Sequence, residues 1–343
     1  MSSSSTIPLV RAAVLEPFVE AARQVGVPVE KMLRSAGLPA EPVDDAEQLL
    51  PELPCWRFIQ LVTRKEGIPD FGLLAGNTIT HQDLSALAPL IAGCTNLYDL
   101  LKRFCMLAPL FSNNNLYVLE EEEQFVWFTQ QGARLVADDI QVQLFEVLGM
   151  IQLVQMAAGK NWRPAEIHFS FEPQAELAYA RDLNPSRIRF SRRHPSIAIP
   201  RQLLPLPIAR FNAAQDATAN AENLAPIPGT FSEGLRDAIV PYLGTGQLNK
   251  NHIAESIGLS PRTLHRRLAR EHTCYSAVVE QARVMKAAAM LRERDANMLD
   301  ISLTLDYQNA SSFTRAFRRW AGVSPREYRY LHRAGKAFPV APE

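Results

Sequence analysis

The chain has 343 residues, enough for two or three domains with real cores, and its 47% hydrophobic and 21% charged residues are those of an ordinary soluble protein. The net charge of zero hides a split: residues 230–343 carry 17 Lys and Arg against 11 Asp and Glu, a net of +6, which leaves −6 on residues 1–229. A basic third joined to an acidic remainder suits nucleic-acid binding by the basic part only.

Residues 7–24 place Leu9, Ala13, Phe18, Ala21 and Ala22 at helical spacing and predict an amphipathic helix. Residues 27–36 predict a short helix ended by Gly37, and residues 54–65 and 96–107 predict two more. Residues 115–119 and 124–130 alternate like strands, and Glu120–Glu123 between them marks a hairpin with a solvated acidic tip. A long helix follows over 138–158, then a half-buried strand over 166–171 and weaker strands over 187–190 and 196–199. The sum is a helix-rich α+β domain with a small antiparallel sheet, residues 1–211. Residues 212–229, rich in Ala, Asn and Pro, read as a linker.

From residue 230 to 335 one unit occurs twice. Ile253-Ala254-Glu255-Ser256-Ile257-Gly258-Leu259-Ser260 precedes Leu264-His265-Arg266-Arg267-Leu268. Forty-eight residues later Ile301-Ser302-Leu303-Thr304-Leu305-Asp306-Tyr307-Gln308 precedes Phe313-Thr314-Arg315-Ala316-Phe317. Each reads as a short apolar helix, a tight turn and a second helix with one apolar and one basic face, a helix-turn-helix that fits the DNA major groove. Leu264 and Leu268 share a face, as do Phe313 and Phe317. The second helices match at an offset of forty-nine, so the second turn is one residue longer. Ser260 is a good N-cap with Pro261 behind it, and Gly258 suits a turn of positive φ.

The exposed positions are Arg262, His265 and Arg266 in the first unit and Ser311, Ser312 and Arg315 in the second. Arginine pairs with guanine in two hydrogen bonds, and serine serves several bases, so these six are the candidate base readers. Arg267, Arg270, Arg318 and Arg319 flank them and are the candidate phosphate contacts.

The stretch from Phe231 to His332 resembles the DNA-binding domain of AraC-family transcription regulators. The carrying pattern is Ile253-Ala254, Gly258-Leu259-Ser260, Leu264-x-Arg266-x-Leu268, then Arg283, Ala287 and Leu291. It continues through Ile301, Tyr307, Ser312-Phe313-x-Arg315-x-Phe317-Arg318, Gly322-Val323-Ser324-Pro325 and Tyr328-Arg329. The resemblance implies an all-α domain of two helix-turn-helix units joined by a long helix over 275–292, with base-facing residues at the same six positions. Two positions depart from the family: Asp306 stands where a turn glycine is usual, and His272 where a helix-ending glycine is common. Residues 336–343 are a tail. The first two-thirds resembles, less specifically, the family's arabinose-binding-like effector domain. The residues are Phe71-Gly72-Leu73-Leu74-Ala75-Gly76, Ala165-Glu166-Ile167-His168-Phe169, Ile188-Arg189-Phe190 and Leu203-Leu204-Pro205-Leu206-Pro207. Such domains are taken to sense small molecules and to form dimers, and the label does not make arabinose the ligand.

Tyr117, Phe125 and Trp127 are the candidates for lining an effector pocket, against the competing reading of a packed hairpin core. His81, His168 and His194 share no metal-ligand spacing, so no metal and no cofactor is expected. Arg192-Arg193-His194 reads as a solvated loop. Cys55, Cys94, Cys105 and Cys274 form no C-x-x-C pair and read as reduced, mostly buried thiols. The Ser-rich start lacks a basic region followed by an apolar run. The most apolar stretch, 84–94, is too short to span a bilayer, so a cytoplasmic location is expected. The chain therefore reads as a sequence-specific transcription regulator, an activator, that binds double-stranded DNA and a small-molecule effector as a homodimer, with RNA polymerase a candidate partner. An enzyme with a DNA-binding tail and a ligand-free architectural DNA protein remain as alternatives. No G-x-S-x-G, P-loop or H-E-x-x-H supports the enzyme.

Overall fold

The computed structural model describes residues 6–40, 45–78, 93–132, 140–173, 183, 187–208, 224–292 and 297–333. The chain divides into two compact units, Pro8–Ile227 and Pro228–Glu343, the latter together with Met1–Ile7.

The first unit opens with strand β1 (Leu9–Arg11) and helix α1 (Ala12–Gln24). The helix expected from residue 7 thus begins only at Ala12. Leu9, Val10 and Arg11 are all buried, a pattern no surface helix can give, and their backbone pairs antiparallel with β2 (Leu49–Pro51). Between the two lies α2 (Val29–Ala36), closed by Gly37 at φ 90° as its sequence predicts. Helices α3 (Glu52–Lys65) and α4 (Phe71–Thr78) complete this part, and Phe18, Phe58, Phe71 and Trp56 fill the core among them.

Helix α5 (Leu97–Leu107) starts at Asn96, whose side chain accepts the Asp99 N–H at 3.0 Å. A five-stranded sheet follows, in the order β3 (Tyr117–Glu121), β4 (Phe125–Gln130), β7 (Ser196–Pro200), β5 (Ile167–His168) and β6 (Ile188–Arg189). Its pairs are antiparallel except β5 with β6, which is parallel, so the small sheet is mixed. Strand β7 bridges the hairpin to β5, although its sequence signal is among the weakest. The strand expected over 166–171 is only two residues long. Strand β3 runs on through Glu120 and Glu121, so the acidic tip shrinks to a tight turn closed by the Glu122 N–H to the Phe125 carbonyl at 2.9 Å. Glu121 accepts Tyr98 Oη and Arg201 at 3.0 Å each.

Helix α6 (Ile140–Ala158) lies between the two cores. Leu144, Val147, Leu148 and Ile151 pack with Phe128, Ile197 and Ile199 of the sheet, while Val142 and Phe145 reach the helical core. A helix serving two cores is apolar all round. That composition and its 19 residues would also suit a membrane span, yet 56% of the stretch is buried in protein. Its glutamines do local work: Gln141 accepts the Gly72 N–H at 2.8 Å and donates to the Pro69 carbonyl at 2.8 Å, satisfying the start of α4. Gly72 permits that approach, because a Cβ there would sit 1.9 Å from the Gln141 carbonyl oxygen.

In the second unit the described helices are α7 (Phe231–Ile239), α8 (Lys250–Ser256), α9 (Pro261–Arg270), α10 (Tyr275–Arg292), α11 (Met298–Thr304), α12 (Ala310–Ala321) and α13 (Pro325–Arg333). Helix α10 matches the span expected for the connecting helix, and its Val278, Val279, Ala282, Ala287 and Leu291 are buried. Of the four cysteines, all free thiols, Cys55 is buried and Cys274, beside the start of α10, is exposed.

Glu52, at the start of α3, is only 2% exposed. Its carboxylate accepts Asn114 Nδ2 at 2.8 Å, and burial pushes its carboxyl up to about 7 from an ordinary 4.5. A raised folded pKa means the protonated form favours the fold. The contribution is full below about 4.5 and is lost as pH rises through about 7. Between those pH values the wild-type chain should lose up to roughly 3 kcal/mol of unfolding free energy relative to Glu52→Gln. Urea unfolding across that window checks it, and parallel pH profiles for the two proteins would contradict it.

Candidate nucleic-acid interface

The two helix-turn-helix units start their helices with the same device. Asn249 Oδ1 accepts the His252 N–H at 2.9 Å to begin α8, and Asn297 Oδ1 accepts the Asp300 N–H at 2.8 Å to begin α11. Ser260 Oγ accepts the Thr263 N–H at 3.2 Å at α9, and Asn309 Oδ1 accepts the Ser312 N–H at 2.9 Å at α12. Each such cap stabilises its helix by about 1 kcal/mol. Pro261 takes the first helical position of α9, where its missing N–H costs nothing.

The turns carry the positive φ that the sequence demands. Gly258 has φ 70° and Asp306 has φ 61°. Aspartate enters this region at a cost of about 1 kcal/mol that glycine avoids. The other departure, His272, also has positive φ, 55°, at the end of α9. Four residues separate α8 from α9 and five separate α11 from α12, which is the longer second turn expected from the offset.

The apolar positions bury as predicted. Leu264 and Leu268 lie in the core, as do Ile253 and Ile257. Phe313 and Phe317 do the same beside Ile301 and Leu305, with Phe317 edge-on to Tyr328 at 5.4 Å. Opposite them Arg262, His265, Arg266, Ser311 and Arg315 are exposed, and Ser312 is half-buried. Arg262, Arg266, Arg270 and Arg318 are exposed, and among the described residues they form no ion pair. Arg315 donates to Ser312 Oγ at 3.3 Å, which holds it along the exposed face of α12.

Two of the four candidate phosphate contacts have other partners. The Arg267 guanidinium lies 5.2 Å over the Phe231 ring, bracing α9 against α7. Arg319 pairs with Glu280 of the connecting helix, and Trp320 Nε1 donates to the same carboxylate oxygen at 2.5 Å. The Trp320 hydrogen bond, then Arg319, hold the Glu280 carboxyl below the usual carboxylate range. Sequence reading missed Glu280, Trp320 and Glu271 as structural anchors. Glu271 accepts the Phe231 N–H at 3.0 Å and the Ser232 N–H at 2.8 Å, capping α7 from the end of α9. Partial burial works to raise the Glu271 carboxyl, but its bonds to Ser232 and Phe231 win and leave it lowered. No sequence spacing links these groups, because their partners are about forty residues away.

In the first unit, strand pairing separates the aromatic candidates. Tyr117 faces Gln130 and Leu119 faces Phe128, so Tyr117 points into the core, where its ring lies 5.0 Å from Phe104. Burial raises its hydroxyl well above the usual tyrosine value. Trp127 points to the other side of the sheet and stacks on His168 at 4.3 Å, and Phe125 shares that side opposite Pro200. The three therefore do not line one pocket. His168 bonds Glu166 at 2.7 Å. Arg192 and Arg193 are exposed and His194 half-buried. Among the described residues no three metal-ligating side chains converge, and His81 lies outside those residues.

Residues 26–208 match the family described as the arabinose-binding domain of AraC transcription regulators, N-terminal, and residues 253–330 match a helix-turn-helix domain family. The HTH-type transcriptional regulator VirS of Mycobacterium tuberculosis is 29% identical over 181 residues, 52% of this chain and 53% of VirS, so the chain spans about half the length of that relative. The uncharacterised HTH-type transcriptional regulator Rv1395 of the same species is 25% identical over 337 residues, 90% of this chain and 93% of Rv1395. CfaD of Escherichia coli, named an HTH-type transcriptional activator, is 31% identical over 98 residues, 29% of this chain and 37% of CfaD. With its N-terminal match covering more than half of the sequence and its C-terminal match covering both helix-turn-helix units, the chain belongs to the AraC family of transcription regulators.

Proposed function

We propose that the chain is a cytoplasmic, sequence-specific transcription regulator, not an enzyme, whose two helix-turn-helix units read two successive major-groove segments. The observation that carries this reading is the pairing of capped recognition helices, α9 and α12, each with its apolar face buried and its arginines turned outward. Arg262, His265 and Arg266 read bases from α9, and Ser311, Ser312 and Arg315 read them from α12. Phosphate contacts fall to Arg270 and Arg318, whereas Arg267 on the Phe231 ring and Arg319 on Glu280 are held by partners in the same unit. The N-terminal unit senses a small molecule and dimerises, a reading supported by its arabinose-binding-type family. Activation is supported by the similarity to CfaD, an HTH-type transcriptional activator, and RNA polymerase is then a partner.

Three outcomes test this reading. Residues 225–343 alone should shift a DNA duplex in a gel, and residues 1–215 alone should not. DNA binding by the N-terminal fragment would overturn the division of labour.

The arginines should separate by role. Arg266→Ala should cost about 1–3 kcal/mol on the selected site and relax preference at one or two base pairs. Arg318→Ala should weaken binding to every sequence and lower the salt slope by about one. Arg319→Ala should leave the salt slope near wild type. Titrations on specific and random duplexes at several salt concentrations decide it, and equal losses on both duplexes for Arg266→Ala would contradict base reading.

Ala288 lies inside α10, and proline there removes a backbone hydrogen bond and clashes with the preceding turn. Ala288→Pro should destabilise the helix by at least about 3 kcal/mol and uncouple the units, so a two-element duplex binds no better than the stronger single element. An unchanged preference for the two-element duplex would show that α10 does not couple them.

A further inference from the structure

The second helix-turn-helix turn contains an aspartate where the first has a glycine, and the structure gives that aspartate a partner. Asp306 Oδ2 accepts the backbone N–H of Gly244 at 3.2 Å. Gly244 has φ 81°, and a Cβ built on it would lie 2.7 Å from the carbonyl oxygen of Thr304 and 3.1 Å from its Cα. Thr304 is the last residue of α11, in the second helix-turn-helix. Gly244 sits in the loop that leads into α8, the first helix of the first helix-turn-helix. Two backbone segments sixty residues apart thus meet at glycine-only distance, and the Asp306 carboxylate bonds across the meeting point.

Gly258 occupies the same turn position in the first unit with φ 70° and no side chain. A glycine at 306 would give the turn its backbone conformation more readily, so the turn itself does not explain the aspartate. The carboxylate adds the bond to Gly244. Helix α10 joins the two units through one rod, and a rod alone leaves bending and twisting between its ends. A direct contact between the loop at Gly244 and the end of α11 closes the triangle and fixes their relative orientation.

We propose that Asp306 is a positioning residue: by clasping Gly244 it sets the angle and spacing between α9 and α12, and so selects DNA whose two recognition elements stand at one spacing. This rests on the two-element reading above. Inserting one base pair between the elements displaces the second by about a tenth of a turn around the duplex. A clasped protein resists that displacement, and an unclasped one follows it.

The test uses the full chain and the duplex that the wild-type chain selects from a randomised pool, together with the same duplex carrying one inserted base pair and a duplex holding either element alone. Wild type should prefer the selected spacing over the inserted one. Asp306→Gly keeps the turn conformation and loses the carboxylate, and it should cut that preference at least about threefold while binding each single element as wild type does. Asp306→Asn retains an oxygen acceptor and should restore the preference. Gly244→Ala attacks the clasp from its other side by pushing on Thr304, and it should also cut the preference. An unchanged spacing preference in Asp306→Gly would overturn the proposal. So would a loss in Asp306→Asn equal to that in Asp306→Gly, or a parallel loss on the single second element, which would reduce Asp306 to a local stabiliser of one turn. If wild type selects no duplex with two elements, the two-element reading fails, and this assignment with it.

Discussion

The arrangement of the C-terminal unit depends on helix α10, which packs against α7 as well as against α11 and α13. An isolated helix of 18 residues is marginal in water, and its stability here comes from the stripe of Val278, Val279, Ala282, Ala287 and Leu291 that packing buries. Polar contacts then tie it to the second helix-turn-helix and to α13. Glu280 takes bonds from Trp320 and Arg319 of the second recognition helix, and Arg283 lies 5.4 Å over the ring of Tyr307 in the second turn. At the far end Arg329 Nε donates to the Leu291 carbonyl at 3.3 Å, covering one of the acceptors that a helix C-terminus leaves open. Each contact is weak by the standards of exposed charges. The first recognition helix reaches α10 through α7, which packs along α10 and carries the Phe231 ring beneath Arg267 of α9.

The two helix-turn-helix units are not equivalent. Helix α9 presents Arg262, His265, Arg266 and Arg270 outward, while α12 presents two serines with Arg315 and Arg318. On the proposed interface the first unit would supply more of the electrostatic attraction, and the second more reading by hydroxyls, which discriminate less sharply between bases. Of the arginines nearest the ends of the recognition helices, Arg267 lies over the Phe231 ring, and Arg319, although exposed, pairs with Glu280.

The helix-turn-helix repeat was legible because its signals are local. Caps, apolar spacing and turn residues lie within a few positions of one another, and the helices, both turns and the outward placement of Arg262, Arg266 and Arg315 follow from them. The N-terminal unit was less legible because its order is set by distant pairing. Residues 9–11 read as helix until the partner strand at 49–51 is known. Strand β7 looks weak in isolation, and its place comes from Ile197 and Ile199 meeting Val126 and Phe128 across the sheet. The aromatic trio failed for the same reason: alternation puts Phe125 and Trp127 on one face, but only the register between β3 and β4 shows that Tyr117 belongs to the other. Glu271, Glu280 and the Asp306 clasp were invisible because each partner is remote in sequence.

The central claim is that one chain engages two groove segments as a single body. Hydroxyl-radical footprinting of the wild-type chain on its selected duplex tests it most directly. The account predicts two protected windows per chain, on one face of the duplex and about 34 Å apart, arranged without a palindrome. A single protected window per chain, repeated only by a two-fold axis between chains, would contradict it.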